Sequence, residues 1–349
     1  MSSSLTYVAH VSRRVIKFGG IGLISFLFLW SGLTAAIKAY RAAHPPYVAP
    51  TVRFGTLNKI VFPEKNFEKK NFTAELPNDR FPKYKDQANV YVIYRSKSAV
   101  GALEASKITA AAMGFTKEPR EVATGVYLFN DSITNRSLSM NVLESSFKLS
   151  YPYLSDQLLL NPDLMPSKEE AISTAKSFIQ QAGKLSIDLD EGEKKVSYWK
   201  INFDGLKPVD GLSEANIIRV DFFRKKLGDE LQVVSTEVGK ASVSVLVSGS
   251  SVATKKVVEV NYQHVDIDPS AASSSTYPIK TSEEAFTDLK NGNYWPASDV
   301  EAKGLTIRKI YLAYFEPINL TQFLQPVYVF EGDGNFVAYV RAITDKYAK

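Results

Sequence analysis

The stretch Phe18 to Ile37, FGGIGLISFLFLWSGLTAAI, contains no charged residue. It has about the length, roughly 20 residues, that a helix needs to cross the hydrocarbon core of a bilayer. In lipid a single segment of this kind satisfies its backbone only as a helix. Arg13, Arg14 and Lys17 precede it; Lys38 and Arg41 follow. Positive charge on both flanks orients it weakly. The short tail before it and the long region after it place the N-terminus in the cytoplasm and the bulk of the chain outside. Three other readings compete: a cleaved signal peptide, for which LTAA supplies small residues; a twin-Arg signal at Ser12 to Lys17, spoiled by Lys17 where an apolar residue is wanted; and a buried helix of a soluble core. Ser31 with Ala35, and Gly32 with Ala36, are small residues four apart, a face on which a partner helix packs closely.

The remaining composition bounds the function without naming it. The chain has 349 residues, a net charge of +5 and no cysteine. The length suits two or three domains. The absence of cysteine excludes disulfides, thiolate catalysis and Cys-ligated metal. Lys and Arg are scattered among Asp and Glu rather than gathered in a stripe, so nucleic acid is not an expected partner. The expected partners are the lipid bilayer itself and another membrane or envelope protein.

Residues 38–71 are rich in Pro and Lys and read as an extended, solvated spacer after the cytoplasmic tail (1–17) and the membrane helix (18–37). Its lysines are placed to touch headgroups. Three α+β modules are expected beyond it, at 72–160, 161–267 and 268–349. In the first, Asn89 to Arg95 reads as a strand and Ser98 to Met113 as a helix, with Val100, Leu103, Ile108 and Ala111 on the buried face and Gly114 as its stop. The second opens on a helix whose capping box is Ser167 and Glu170. Its apolar stripe is Ala171, Ile172, Ala175, Phe178, Ile179 and Ala182, and Gly183 ends it. Strands follow; in ASVSVLV the alternation puts Val243, Val245 and Val247 on one face and Ser242 and Ser244 on a wet one. A Ser-rich loop, Asp268 to Pro278, precedes the third module, where Thr281 and Glu284 repeat the capping box and Glu283 to Ala285 repeats the EEA of Glu169 to Ala171. The fold class expected is therefore α+β: a transmembrane helix, then two or three modules of antiparallel sheet with helices packed on one face.

No residue pattern demands catalysis. The three histidines are His10, His44 and His264; the first two fall on opposite sides of the proposed membrane, and His264 reads as a packed or surface residue on a strand. No G-x-S-x-G elbow, phosphate loop or dinucleotide fingerprint occurs, and a Ser-x-x-Lys dyad is too common a spacing to decide anything. DLDEGE (Asp188 to Glu193) and EGDGN (Glu331 to Asn335) offer oxygen ligands to a hard cation, but Gly192 is one position early for an EF-hand loop, so both read as solvated turns. No catalytic residue, cofactor or metal is expected.

The last long feature is FLQPVYVFEGDGNFVAYVRAI, Phe323 to Ile343. Val327, Val329 and Glu331 point one way and Tyr328 and Phe330 the other. In the return run Phe336, Ala338, Val340 and Ala342 share a face, opposite Val337, Tyr339, Arg341 and Ile343. GDGN tolerates positive φ, so a hairpin is expected. Bulky groups on both faces make it a covered hairpin that closes the last sheet. The alternative is a binding hairpin that uses Tyr328, Phe330, Asp333 and Tyr339.

A short tail, one membrane helix and helix-then-strand modules, together with the S-x-E-E-A-I-x-x-A-x-x-F-I helix and the L-Q-P-V-Y-V-F-E-G…F-V-A-Y-V-R-A-I terminus, resemble the YycH/YycI-type regulators and the related PepSY-like modules. The resemblance covers the anchor and, loosely, Pro166 to Ile343. It implies a membrane-anchored, extracytoplasmic, non-catalytic protein that modulates a membrane partner such as a sensor histidine kinase. The alternatives are a binding or assembly subunit for envelope polymer, lipid or an export machine, and a cryptic hydrolase.

Overall fold

The computed structural model describes residues 5–43, 47–93, 99–160, 164–228, 230–268, 270, 272–316 and 321–349. The expected spacer residues His44, Pro45 and Pro46, the strand residues Tyr94 and Arg95, the helix start Ser98, and Pro269 and Ala271 of the Ser-rich loop lie outside them. The chain divides into two compact units, Met1–Ala49 and Pro50–Lys349.

The first unit is one helix, α1 (Leu5–Ala43), of 39 residues. The most apolar window of its candidate membrane span, Ala9–Arg41, has no buried residue. At 1.5 Å per residue α1 is about 58 Å long, nearly twice a hydrocarbon core of about 30 Å. The helix therefore runs well past the expected 18–37, because no proline interrupts residues 5–43. Arg13, Arg14 and Lys17 ride on it rather than on a separate tail.

The second unit carries, in chain order, β1 (Asn71–Ala74), β2 (Gln87–Val92), α2 (Ala99–Ala112), β3 (Arg120–Ala123), β4 (Val126–Asp131), β5 (Arg136–Asn141) and β6 (Ser146–Ser150). Then come α3 (Gln157–Leu160), α4 (Lys168–Gln181), α5 (Ile187–Glu191), β7 (Lys194–Asn202), β8 (Gly205–Val209), β9 (Ile217–Phe222) and β10 (Val233–Val234). The remainder is β11 (Val243–Ser248), α6 (Ala253–Lys256), β12 (Val257–Tyr262), β13 (Ser274–Pro278), α7 (Ser282–Asn291), β14 (Trp295–Pro296), β15 (Gly304–Phe315), β16 (Phe323–Gly332) and β17 (Phe336–Arg341). Nine strands form one sheet in the order β3-β4-β5-β6-β12-β11-β9-β7-β8. Eight form the other: β1-β15-β16-β17-β14 in a row, with β10 on β15 and β2 between β16 and β13. Pairing is antiparallel except where β1 and β10 run parallel to β15. With the helix α1 ahead of it, this is an α+β protein.

The two capping boxes form as read. The Ser167 hydroxyl accepts from the Glu170 N–H and the Ser167 N–H donates to the Glu170 carboxylate; Thr281 and Glu284 do the same for α7. These reciprocal bonds satisfy backbone donors that a helix start would otherwise leave unpaired. Ala171, Ala175 and Ile179 of α4 are fully buried against Val220, Val245 and Val260 of the nine-stranded sheet. Ala285 and Leu289 of α7 are likewise buried against Phe330, Phe336 and Ala338 of the other. Gly183 and Gly292 end the helices at positive φ, +67° and +91°, a conformation that favours glycine.

Four expectations change. The three stretches do not fold as separate units. The first and second both feed the nine-stranded sheet, and β1, β2 and β10 join strands of the third. The spacer is docked rather than free beyond Pro50: it stays largely exposed, but Leu57 pairs with Ala348, and Leu57 and Ile60 are buried. The Lys65 ammonium is held by Asp299 at 2.8 Å and Lys70 donates to the Ala302 carbonyl at 2.8 Å. In α2 the buried side is Ala102, Thr109, Ala110 and Met113, while Ile108 and Ala111 face solvent. In β11 every residue is buried. The serine face is covered because Leu246 packs with Ile217, Val258, Tyr151 and Leu159 in a second apolar layer, so Ser244 has no wet side.

The C-terminal hairpin lies inside its sheet. β16 sits between β15 and β17, and β14 rather than β17 is the outer strand. Tyr328, Phe330, Phe336 and Ala338 fill the core under α7. On the opposite face Val327, Val329, Val337 and Tyr339 pack with Trp295 and Phe315. The two sheets meet over an apolar seam of Tyr91, Leu227, Tyr314 and Leu324, to which the chain leaving β9 contributes Leu227.

Candidate functional site: a buried ion cluster and its cleft

Beside that seam, where β9 and β12 end, lies a buried cluster of charged side chains. Ser186 and Asp188 come from the start of α5, Arg224 from just after β9, His264 from just after β12, and Glu316 from the end of β15 in the other sheet. Arg224 is central. One terminal nitrogen pairs with Asp188 Oδ2. The other donates to Glu316 Oε1 at 2.8 Å and to the Val265 carbonyl at 2.6 Å. Its side chain is 1% exposed. Burial opposes the guanidinium charge, but Glu316 and Asp188 outweigh that and raise its pKa.

Asp188 Oδ1 accepts from the Ser186 hydroxyl at 2.5 Å, from the Leu189 N–H at 3.0 Å, and from His264 Nε2 at 3.1 Å. Burial works against the carboxylate. The hydrogen bond from His264 and the charge of Arg224 outweigh burial and hold the Asp188 pKa well below the usual carboxylate range. An ionised carboxylate only accepts, so Nε2 of His264 carries the proton. Ser186 Oγ lies 3.0 Å from that same nitrogen. His264 Nδ1 is buried with no partner.

This geometry decides what the cluster can do. A Ser-His-Asp triad needs the acid on one ring nitrogen and the hydroxyl on the other. Here both sit on Nε2, so the imidazole cannot take a proton from Ser186 while Asp188 steadies its far side. Asp188, His264 and Asp266 also have ligand atoms within 4.8 Å of one another. Yet both Asp188 oxygens already hold donors, and a metal on Nε2 would shift the proton to Nδ1, which has no acceptor to receive it. The residues fit an ion-paired joint between the two sheets better than a metal centre.

A cleft of about 600 Å³ opens beside the cluster. Arg224, Lys225 and Lys226 line one side, Val233, Val234 and Ser235 another, and Lys309, Tyr311, Glu331 and Tyr339 the third. Arg224 Nε is buried and has no partner. Glu331 accepts from the Tyr311 hydroxyl at 2.7 Å and pairs with Lys309 at 3.3 Å; burial, then Glu331, raises the Tyr311 pKa.

Of the two acidic runs, DLDEGE is not a solvated turn, whereas EGDGN is one: Asp333, Gly334 and Asn335 lie exposed in the turn between β16 and β17. Asp188 to Glu191 is helical in α5. Asp190 pairs with Lys176 at 2.6 Å, Glu191 with Lys225 at 2.6 Å, and Asp333 with Arg308 at 2.9 Å. Tyr328, Phe330 and Tyr339 are buried, with the Tyr328 hydroxyl donating to the Lys280 carbonyl at 2.7 Å and Tyr339 to that of Ser235 at 2.9 Å. Of the hairpin residues Tyr339 and Glu331 line the cleft and Asp333 stays half-exposed. Ser31, Gly32, Ala35 and Ala36 lie exposed on α1, and a Cβ built on Gly32 meets nothing. Sequence reasoning missed the cluster because Asp188 and His264 are 76 residues apart.

No protein-family model matches the chain, and no curated protein matches it. Among solved structures, an uncharacterized protein from Eubacterium rectale aligns with 80% of this chain and 90% of its own, at 14% identity and a TM-score of 0.40. That likeness is too distant to carry an argument about fold or function.

Proposed function

We propose that the protein is a single-pass, membrane-anchored interaction or regulatory protein. Its Pro50–Lys349 unit works outside the cytoplasm by touching other molecules rather than by transforming them. The observation that carries this reading is α1: within the 33 residues Ala9–Arg41 lies a strongly apolar window that is not buried, and it has no soluble surroundings that would stabilise it. The arrangement at His264, with acid and hydroxyl on one nitrogen, adds support for a non-enzymatic role. A membrane partner such as a sensor kinase fits the small-residue face Ser31, Gly32, Ala35 and Ala36.

A photo-crosslinking side chain at Gly32, activated in membranes, tests the reading. A discrete adduct with another membrane protein is expected, and it should disappear when Ser31→Leu is added. A chain that crosslinks only to lipid would overturn the helix-mediated contact. The cleft beside Arg224 favours a second reading, a binding subunit for an envelope polymer or lipid. That reading expects a soluble Pro50–Lys349 fragment to keep its affinity once freed from the anchor.

A further inference from the structure

The nine-stranded sheet has two ends. One holds the ion cluster. Register defines the other: Ser137 pairs with Ser150, Ser150 with Glu259, Glu259 with Leu246, Leu246 with Arg219, and Arg219 with Ser197. From that row every strand runs on to the same edge. The β4–β5 turn presents Ile133 there, the segment leaving β6 presents Leu154, Leu158 and Leu164, the β11–β12 connection presents Val252, and the β7–β8 turn presents Phe203. All six are exposed, Phe203 by 100%, Ile133 by 90% and Leu164 by 81%. Between β5 and β7 lie five strand spacings, about 24 Å.

Isolated exposed apolar residues need no explanation; six at one end of one sheet do. Ile133 and Phe203 each cap a separate hairpin turn, flanked by polar residues such as Asp131, Ser132, Asn202 and Asp204. A protein partner selects a contiguous, shape-matched patch. Leu158, Leu164 and Val252 share one hollow, but Ile133 and Phe203 project from separate turns outside it, and a row broken in this way over about 24 Å suits a surface that deforms around each group, as the headgroup–acyl boundary does. α1 already commits the chain to a bilayer under the anchored reading, on which this inference rests. Charge at this end is largely self-neutralised, with Lys207 on Asp204 at 3.0 Å and Lys255 on Asp156 at 2.6 Å.

We propose that this end of the nine-stranded sheet is a lipid-contacting surface, whose Ile133, Leu164 and Phe203 dip into the bilayer interface by apolar insertion rather than by charge. The chain has no cysteine, so Ile133→Cys, Leu164→Cys and Phe203→Cys each give the full-length protein one site for an environment-sensitive fluorophore. Val61→Cys, 74% exposed and next to Ile60, which packs on the other sheet, is the control. In proteoliposomes of neutral lipid with brominated acyl chains, the three labels should be quenched about twofold or more and the Val61 label should not. The quenching should survive 1 M salt, where screening is nearly complete beyond about 3 Å. Labels that stay in a water-like environment overturn the proposal. So do labels that are protected but unquenched, which would assign the surface to protein. Co-flotation of the chain with the vesicles reports the anchor separately, so a failed anchor and a failed surface are distinguishable.

Discussion

Arg224 is the residue on which the junction of the two sheets turns. Its guanidinium holds Asp188 on one side and Glu316 on the other. Arg224→Met keeps the volume but leaves two buried carboxylates facing each other without a cation. Breaking a buried pair in this way costs about 3–5 kcal/mol, and denaturant unfolding should show a loss of that order. Asp188 also fixes a pH response. Its folded-state pKa is depressed, so its contribution is present above the unfolded value, about 3.9, and is lost as pH falls through the folded one. Asp221 acts oppositely, because burial raises its pKa and acid favours its folded form. Stability should therefore fall below about pH 4, and Asp188→Asn should flatten that limb; Asp221→Asn should instead remove a gain in stability that comes on above that window, as pH falls toward about 4, both read by melting temperature against pH. None of this was legible in the sequence. Asp188 sat in an acidic run that resembled a calcium loop, and its partners Arg224, His264 and Glu316 enter from strands whose pairing no local pattern specifies.

The helices of the second unit are the elements that the sequence wrote most plainly. Ser167–Glu170 and Thr281–Glu284 are local signals, complete within four residues, and both boxes close. Thr281→Ala should cost about 1 kcal/mol and shift the unfolding midpoint without changing the fold. Gly192 should be less tolerant. A Cβ there would lie 1.9 Å from the Phe223 carbonyl oxygen, so Gly192→Ala forces α5 away from the end of β9. A cost of about 1–3 kcal/mol is expected from such overpacking, with a crystal structure or hydrogen exchange showing the disturbance centred on Asp188 and Arg224. Strand pattern was a weaker guide. The valine–serine alternation of β11 correctly marked one core face. It misassigned the other to water, because burial of that face depends on Tyr151 and Leu159, about 90 residues earlier. For α2, alanines rather than the larger Ile108 face the sheet, since close packing there favours small side chains.

At the scale of the whole molecule, the chain is an apolar helix joined to a two-sheet unit in which sequence-consecutive segments interleave. A division into three modules followed the repeating helix-then-strand order. It failed because β1, β2 and β10 cross to the sheet built from the last third of the chain. The account's central claim is that α1 spans a bilayer and leaves Pro50–Lys349 on the far side. Because the wild-type chain offers no thiol, labelling of Ile187→Cys, 78% exposed, by a membrane-impermeant maleimide reads that claim directly. On intact cells the account predicts full labelling of a protein that stays in the membrane fraction with its N-terminus retained. Labelling only after lysis, or an uncleaved chain recovered in the soluble fraction, would contradict it.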